Sequence, residues 1–280
     1  MKGKYLVLSA VLAFAGLQAQ AEASILGSAE SFAVLGSSTV TNTGPTTITG
    51  NLGVSPGSAV TGFPPGIVGG GSIYGPGGVS DPAQTDLTTA YNGLAGMSVS
   101  SNLTGQNLGG KTLTSGVYKF DVAAQLTGTL TLDAEGKNNA YWVFQIGSTL
   151  TTDSNSLVNV INLGLNDGND DGVFWQVGSS ATLGTGTTFE GNILALASIT
   201  LNTGATIPNG RALARNGAVT LDTNVISIVC PNGGPGYSGG LKYDTDGTTV
   251  VPIPEPGTFL LLVSGLVSLF ASRKRRISVA

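Results

Sequence analysis

A mainly β fold, a solenoid of stacked coils, is what this chain's pattern predicts. Three observations carry that expectation. Thr182-Leu183-Gly184-Thr185, Thr200-Leu201-Asn202-Thr203 and Thr220-Leu221-Asp222-Thr223 are near-copies that start 18 and 20 residues apart, a spacing suited to one coil of a β-helix. The 280 residues include 43 Gly spread among Val, Ile, Thr and Leu, the composition of short strands joined by tight turns. Within each copy apolar and polar residues alternate, so Ile199 and Leu201 turn inward and Thr200 outward.

The elements follow in order. Lys2 and Lys4 precede an apolar run from Tyr5 to Leu17, and Ala19-Gln20-Ala21 and Ala21-Glu22-Ala23 are cleavage patterns, so residues 1–23 read as a secretory signal peptide. The exported domain spans 24–229 and opens with short strands around Phe32-Ala33-Val34-Leu35 and Thr39 to Thr49. One segment breaks the β pattern. Asp81 reads as a helix N-cap with Pro82 at the first helical position, and Leu87, Ala90, Tyr91 and Leu94 form one apolar face. Gly96 ends that helix, which is expected to lie along the solenoid and cover part of its apolar wall. From Lys111 the strand pattern resumes, with Val117, Leu130, Val143, Phe144, Leu150, Phe174, Leu183, Ile193, Leu201, Leu213 and Leu221 among the expected core. Looser copies of the threonine repeat occur at Thr149-Leu150-Thr151-Thr152 and Thr112-Leu113-Thr114-Ser115. Residues 230–251, rich in Gly and Pro, read as a linker, and 252–280 as a tail.

Composition narrows the function classes. Histidine is absent, which removes the commonest acid/base group and metal ligand, and Cys230 is the single cysteine, so no intrachain disulfide can form. Between Ser24 and Ile253 there are 6 basic against 14 acidic residues, a poor balance for binding nucleic acid. Asp121, Asp133, Asp153 and Glu190 are spaced along different coils without pairing, so no enzyme and no cofactor is expected. Asp167, Asn169, Asp171 and Gly172 match the opening of a calcium loop, but Gly178 stands where the closing Glu belongs; a polar turn, with no metal, is the reading.

Several separated motifs resemble one family. Phe32-Ala33-Val34-Leu35-Gly36, Tyr141-Trp142-Val143-Phe144-Gln145-Ile146, Phe174-Trp175-Gln176-Val177-Gly178, Phe189-Glu190-Gly191-Asn192-Ile193-Leu194-Ala195 and Asn209-Gly210-Arg211-Ala212-Leu213-Ala214 together look like the large ice-binding protein family of bacteria and fungi. The resemblance implies a discontinuous β-helix of right-handed type and triangular section, with one long α-helix packed alongside. It also implies adsorption to an ice crystal surface through one flat face. The candidate contacts are Thr182, Thr185, Thr200, Asn202, Thr203, Thr220 and Thr223, with Thr185, Thr203 and Thr223 placed at a corner. Asp222 puts a hydrated charge in that ladder. Thr39, Thr41 and Thr43 alternate cleanly and make a second candidate face.

The C-terminus resembles another known pattern. Pro254, Glu255 and Pro256 precede an apolar run from Thr258 to Ser272 and then Arg273, Lys274, Arg275 and Arg276. This is similar to the PEP-CTERM sorting signal of Gram-negative bacteria. It implies export, transient membrane retention, processing by an exosortase-type enzyme, and residence at the cell surface or in the extracellular matrix. The alternative function is a structural or adhesive biofilm matrix protein that binds exopolysaccharide.

Overall fold

The computed structural model describes residues 24–229 and 236–254; the expected signal peptide, Cys230 and the sorting tail beyond Pro254 lie outside the described residues. Each coil contributes a strand to each of three walls. The coil that starts at Tyr141 shows the plan: strand Tyr141–Ile146, a corner, strand Leu150–Thr152, a second corner, strand Leu157–Ile161 and a longer loop back. Neighbouring coils pair in parallel throughout, as a β-helix requires.

A 15-stranded sheet wraps two of the walls and a 7-stranded sheet forms the third. The larger sheet bends around one vertex because strands Thr188–Ala195 and Thr206–Ala214 run through it. The bend uses glycine: Gly191 has φ +98°, and a Cβ at Gly210 would lie 2.0 Å from the Gly191 carbonyl oxygen. No side chain fits there without moving the backbone.

Inside the three walls, alternate residues fill one continuous core. Its centre is an aromatic stack: Phe144 lies 3.9 Å from Trp175 at 8°, flanked by Tyr118 at 5.7 Å and Phe189 at 4.7 Å from their neighbours. Both Trp side chains are fully buried, and each indole N–H donates to a backbone carbonyl, Trp142 to Leu113 and Trp175 to Glu190. Burial of rings this large with their polar atoms paired supplies much of the stabilisation.

The chain is wound discontinuously. Residues 24–74 do not start the stack; they dock onto its last coil, with Phe32–Gly36 beside Thr206–Ala214 and Thr39–Thr43 beside Val219–Asp222. The helix then carries the chain to the far end, where winding resumes at Ser101. That helix, Ser80–Ala95, buries Leu87, Ala90, Tyr91 and Leu94, the predicted face, against Leu35, Val143, Phe174, Leu194 and Leu213 on the outside of one wall. Gln145 holds its far end, donating from Nε2 to the carbonyls of Leu94 at 2.8 Å and Met97 at 2.9 Å. Asp81 departs from its expected part: the helix begins at Ser80, two residues before the expected first position at Pro82, and the Asp81 carboxylate reaches back to the Gly77 N–H at 3.0 Å and the Ser55 hydroxyl at 2.6 Å. It pins the preceding loop rather than capping the first turn.

Residues 237–253 depart from the expected linker. Leu241–Tyr243 and Val250–Pro252 form an antiparallel hairpin, with Leu241 and Val250 buried in the cluster under the helix. The Gly-rich composition that suggested a spacer serves close approach instead: Gly239 lies against the Asp170 carbonyl and Gly240 against that of Ala140. Among the described residues no helix is long and apolar enough to cross a membrane.

Candidate functional site

The 7-stranded sheet orders Ala124–Leu126, Leu150–Thr152, Ala181–Leu183, Ile199–Leu201, Val219–Asp222, Thr39–Thr43 and Ala59–Thr61 side by side. Their inward residues, Leu150, Ala181, Leu183, Ile199, Leu201, Val219, Leu221 and Val40, belong to the core. The outward residue at the middle of each strand is then in register across the sheet: Gln125, Thr151, Thr182, Thr200, Thr220, Thr41 and Thr61. Strands repeat about every 4.7–4.9 Å, so this row runs roughly 29 Å. Thr61, Thr151 and Thr220 are exposed, and Thr41, Thr182 and Thr200 half-exposed, in the middle of the packed row.

The two candidate faces are therefore one face. Thr39, Thr41 and Thr43 do not form a separate surface, because their strand docks beside Val219–Asp222; Thr41 Oγ1 comes to 3.5 Å from Thr220 Oγ1. Pattern alone could not place a strand from the N-terminus next to one 179 residues later. The copy at Thr112 to Ser115 falls elsewhere: Thr112–Thr114 pairs with Thr129–Asp133 on a different wall. Three members of the row had weaker signals. Thr151 sits in one of the looser repeats, Thr61 in Ala59-Val60-Thr61, and Gln125 between the inward Ala124 and Leu126.

Thr185, Thr203 and Thr223 occupy the corner beyond this sheet and are exposed. Two of them are committed to Asp222: the Thr203 hydroxyl donates to Asp222 Oδ2 by a short bond, and that of Thr223 to Oδ1 at 3.0 Å. Asp222 is thus tied into the corner, and Asn202 stands exposed beside it. At the other end Asp153 accepts from Thr127 at 2.7 Å and from Gln125 at 3.3 Å. Both carboxylates flank the central Thr182–Thr200 pair rather than interrupt it.

Buried polar groups fix the corner that carries this face. Asn224 accepts from the Asp222 N–H at 2.6 Å and donates to the carbonyls of Asn202 at 3.0 Å and Ala205 at 2.9 Å. Further back along the same corner Thr152 and Thr187, from two neighbouring coils, pair their hydroxyls at 2.9 Å, and Thr152 Oγ1 accepts the Gly184 N–H at 2.8 Å. Satisfied buried bonds of this kind hold the outward residues to one geometry.

Apart from Asp153 and Asp222, the carboxylates sit away from this row. Asp121 is held down to about 2, first by Lys119 and then by Asn102. Asp133 is kept below the usual carboxylate range by the Glu135 N–H and Asn162. Burial pushes Asp171 up to about 7, against a hydrogen bond from the Ala140 N–H, and pushes Glu190 up to about 7, against one from Asn209. The loop at Asp167 is a run of tight turns, in which Asn166 donates to Asp170 at 2.9 Å, with no helix on either side. Among the described residues no three His, Cys, Asp or Glu gather to hold a metal ion. A groove of about 650 Å³ between the end of the helix and the hairpin, lined by Asn92, Met97, Tyr141 and Val250 among others, carries no Asp, Glu, Lys or Arg.

Comparison with known proteins bears on the whole arrangement. An ice-binding protein of Nostoc sp. (strain HG1) is 54% identical over 277 residues, 97% of this chain and 96% of that one. The solved structure of an ice-binding protein from an Antarctic biological consortium superposes with TM-score 0.68 at 46% identity, over 75% of this chain and 94% of the other. That of the Antarctic ascomycete Antarctomyces psychrotrophicus gives 0.68 at 41%, over 74% and 98%. Residues 252–276 match the PEP-CTERM protein-sorting motif, a signal for export and surface sorting. Residues 34–227 match the ice-binding-like family model, and the chain belongs to that family.

Proposed function

We propose that this protein adsorbs to ice through the row Thr151, Thr182, Thr200, Thr220, Thr41 and Thr61, and acts by occupying a surface rather than by catalysis. The observation that carries the reading is the register: six threonines from six coils share one outward line on a single sheet. A threonine offers a hydroxyl to ordered water and a methyl that fits between water positions. Its β-branched side chain has little χ1 freedom to lose on docking. Each contact is weak, on the order of 1 kcal/mol, but they engage together because the core holds them in one geometry. A protein bound this way pins the advancing crystal front, which depresses freezing and suppresses recrystallisation.

Thr39, Thr43, Thr185 and Asn202 border the row and extend the contact. Thr203 and Thr223 contribute least, since their hydroxyls already serve Asp222. The strands of this sheet contain no aromatic residue on which a sugar ring could stack, so the face suits ice better than exopolysaccharide. The sorting motif leads to display at the cell surface or in the extracellular matrix, after processing by an exosortase-type enzyme.

The test is thermal hysteresis and recrystallisation inhibition on the purified chain beside Thr200→Tyr and Thr220→Tyr, with circular dichroism as the fold control. Loss of activity with an unchanged spectrum supports the row as the contact. Activity intact in both variants moves the contact to another wall, and an inactive wild type removes the ice reading for this chain.

A further inference from the structure

Both ends of the described domain leave from one place. Ser24 Oγ donates to the Ser238 carbonyl at 3.4 Å, and the Tyr243 hydroxyl to the Ile25 carbonyl at 3.2 Å. The C-terminal end is strapped along the same edge. The Gly236 carbonyl accepts from Arg211, and that of Tyr237 from the Val173 N–H at 2.9 Å and Asn192 at 2.7 Å. The Gly239 N–H then donates to the Asp171 carbonyl at 2.9 Å. After the hairpin the chain returns, with the Ile253 N–H on the Gly240 carbonyl at 3.0 Å and Asn139 on the Pro254 carbonyl at 3.4 Å.

Those contacts lie where strands Tyr141–Ile146 and Gly172–Val177 begin, which is the vertex between the helix-covered wall and the wall that contains Leu157–Ile161, the two walls of the 15-stranded sheet. The threonine sheet is bounded by the other two corners, at 147–149 and 153–156 in the same coil. The exit vertex is therefore the one opposite the threonine sheet. From Pro254 the apolar run starts at Thr258, so the connection reaches at most roughly 14 Å.

We propose that the hairpin 237–253 is a mount: it fixes the exit so that, while the tail is held in a membrane, the threonine face is turned away from that membrane and toward the medium. A flexible linker of the same length would let the domain tumble and press either side to the lipid. A strapped exit with a short connection permits one presentation. Leu165, 92% exposed in the loop at the exit vertex, marks the side that faces the lipid. The proposal rests on the reading of the tail as a membrane-retained segment.

The experiment uses the full chain in phosphatidylcholine vesicles with nitroxide-labelled head groups. In a Cys230→Ser background, Leu165→Cys and Thr200→Cys each carry one fluorophore, and vesicle flotation reports retention. The expected result is co-flotation with several-fold stronger quenching at Leu165 than at Thr200. A Gly/Ser insert of about 20 residues after Pro254, with a reach of roughly 25 Å, should shrink that difference. Co-flotation with equal quenching at the two positions overturns the mount and leaves membrane retention standing. Failure to float overturns the retention reading, and the mount with it.

Discussion

Two walls of this solenoid are built by the same alternation and meet opposite fates. On both, every second residue fills the shared core. On the helix wall the outward residues are Val143, Phe174, Leu194 and Leu213, all buried because the helix lies over them. On the threonine wall the outward residues are Thr182, Thr200, Thr220 and Thr41, and no element among the described residues covers them. The difference is confined to one side of each strand. It teaches that the inward set builds the shared core, and that the outward set decides whether a wall becomes a second core or an interaction surface.

The sharpest break of that comparison is Phe174→Ala. It removes a fully buried ring between sheet and helix and should cost about 3–5 kcal/mol in denaturant unfolding, though the residue points out of the solenoid. Thr182→Ala, equally outward, should change stability by less than about 0.5 kcal/mol. Equal effects at the two positions would mean that the walls are not distinguished by cover.

Asn224→Ala comes next. It removes the side-chain partner of the Ala205 carbonyl and of the Asp222 N–H at the buried corner, and one of two donors to the Asn202 carbonyl, and should cost about 2–3 kcal/mol. Because that corner orients the threonine wall, thermal hysteresis should fall at temperatures where circular dichroism still shows a folded chain.

Acidity offers a milder probe away from both walls. Burial raises Asp171 and Glu190 to about 7, whereas in the unfolded chain carboxyls titrate near about 4. Between those values the native chain holds protons that the unfolded chain has released. That stabilisation is complete below about pH 4 and is lost as pH rises through about 7. The melting temperature should therefore be lower at pH 8 than at pH 6, and Asp171→Asn should flatten the difference.

The smallest change is Thr200→Val, which keeps the methyl groups and shape but removes the hydroxyl. Stability should move by less than about 0.5 kcal/mol. Thermal hysteresis should fall only in part if methyl fit carries most of the contact, and nearly as far as in Thr200→Tyr if the hydroxyl does.

How much of this was legible depends on whether a feature repeats locally. The copies at Thr182, Thr200 and Thr220 announced neighbouring coils, and Leu87 with Ala90, Tyr91 and Leu94 announced the covering helix. What could not be read was adjacency between distant segments. Thr39–Thr43 looked like a second face because nothing local says which strand it joins. Thr112–Thr114 looked like another rung, yet its wall is decided by where in the coil it falls. The hairpin at 241–252 was hidden by Gly and Pro composition, which describes a spacer and a tightly apposed strap equally well. The outward threonines were legible as a pattern; their number on one line was not.

The contact between Thr41 and Thr220 has a consequence in time as well as in space. These residues are 179 positions apart, yet they are neighbours in the middle of the ladder. Pairings so distant in sequence form slowly, after shorter loops have closed. A chain emerging from the export machinery N-terminus first can pair its first strands with one another, but one edge of Phe32–Gly36 and of Thr39–Thr43 stays open until the last coil has arrived. The full ladder thus exists only in a completed molecule, and a prematurely ended product lacks the contiguous surface on which adsorption depends.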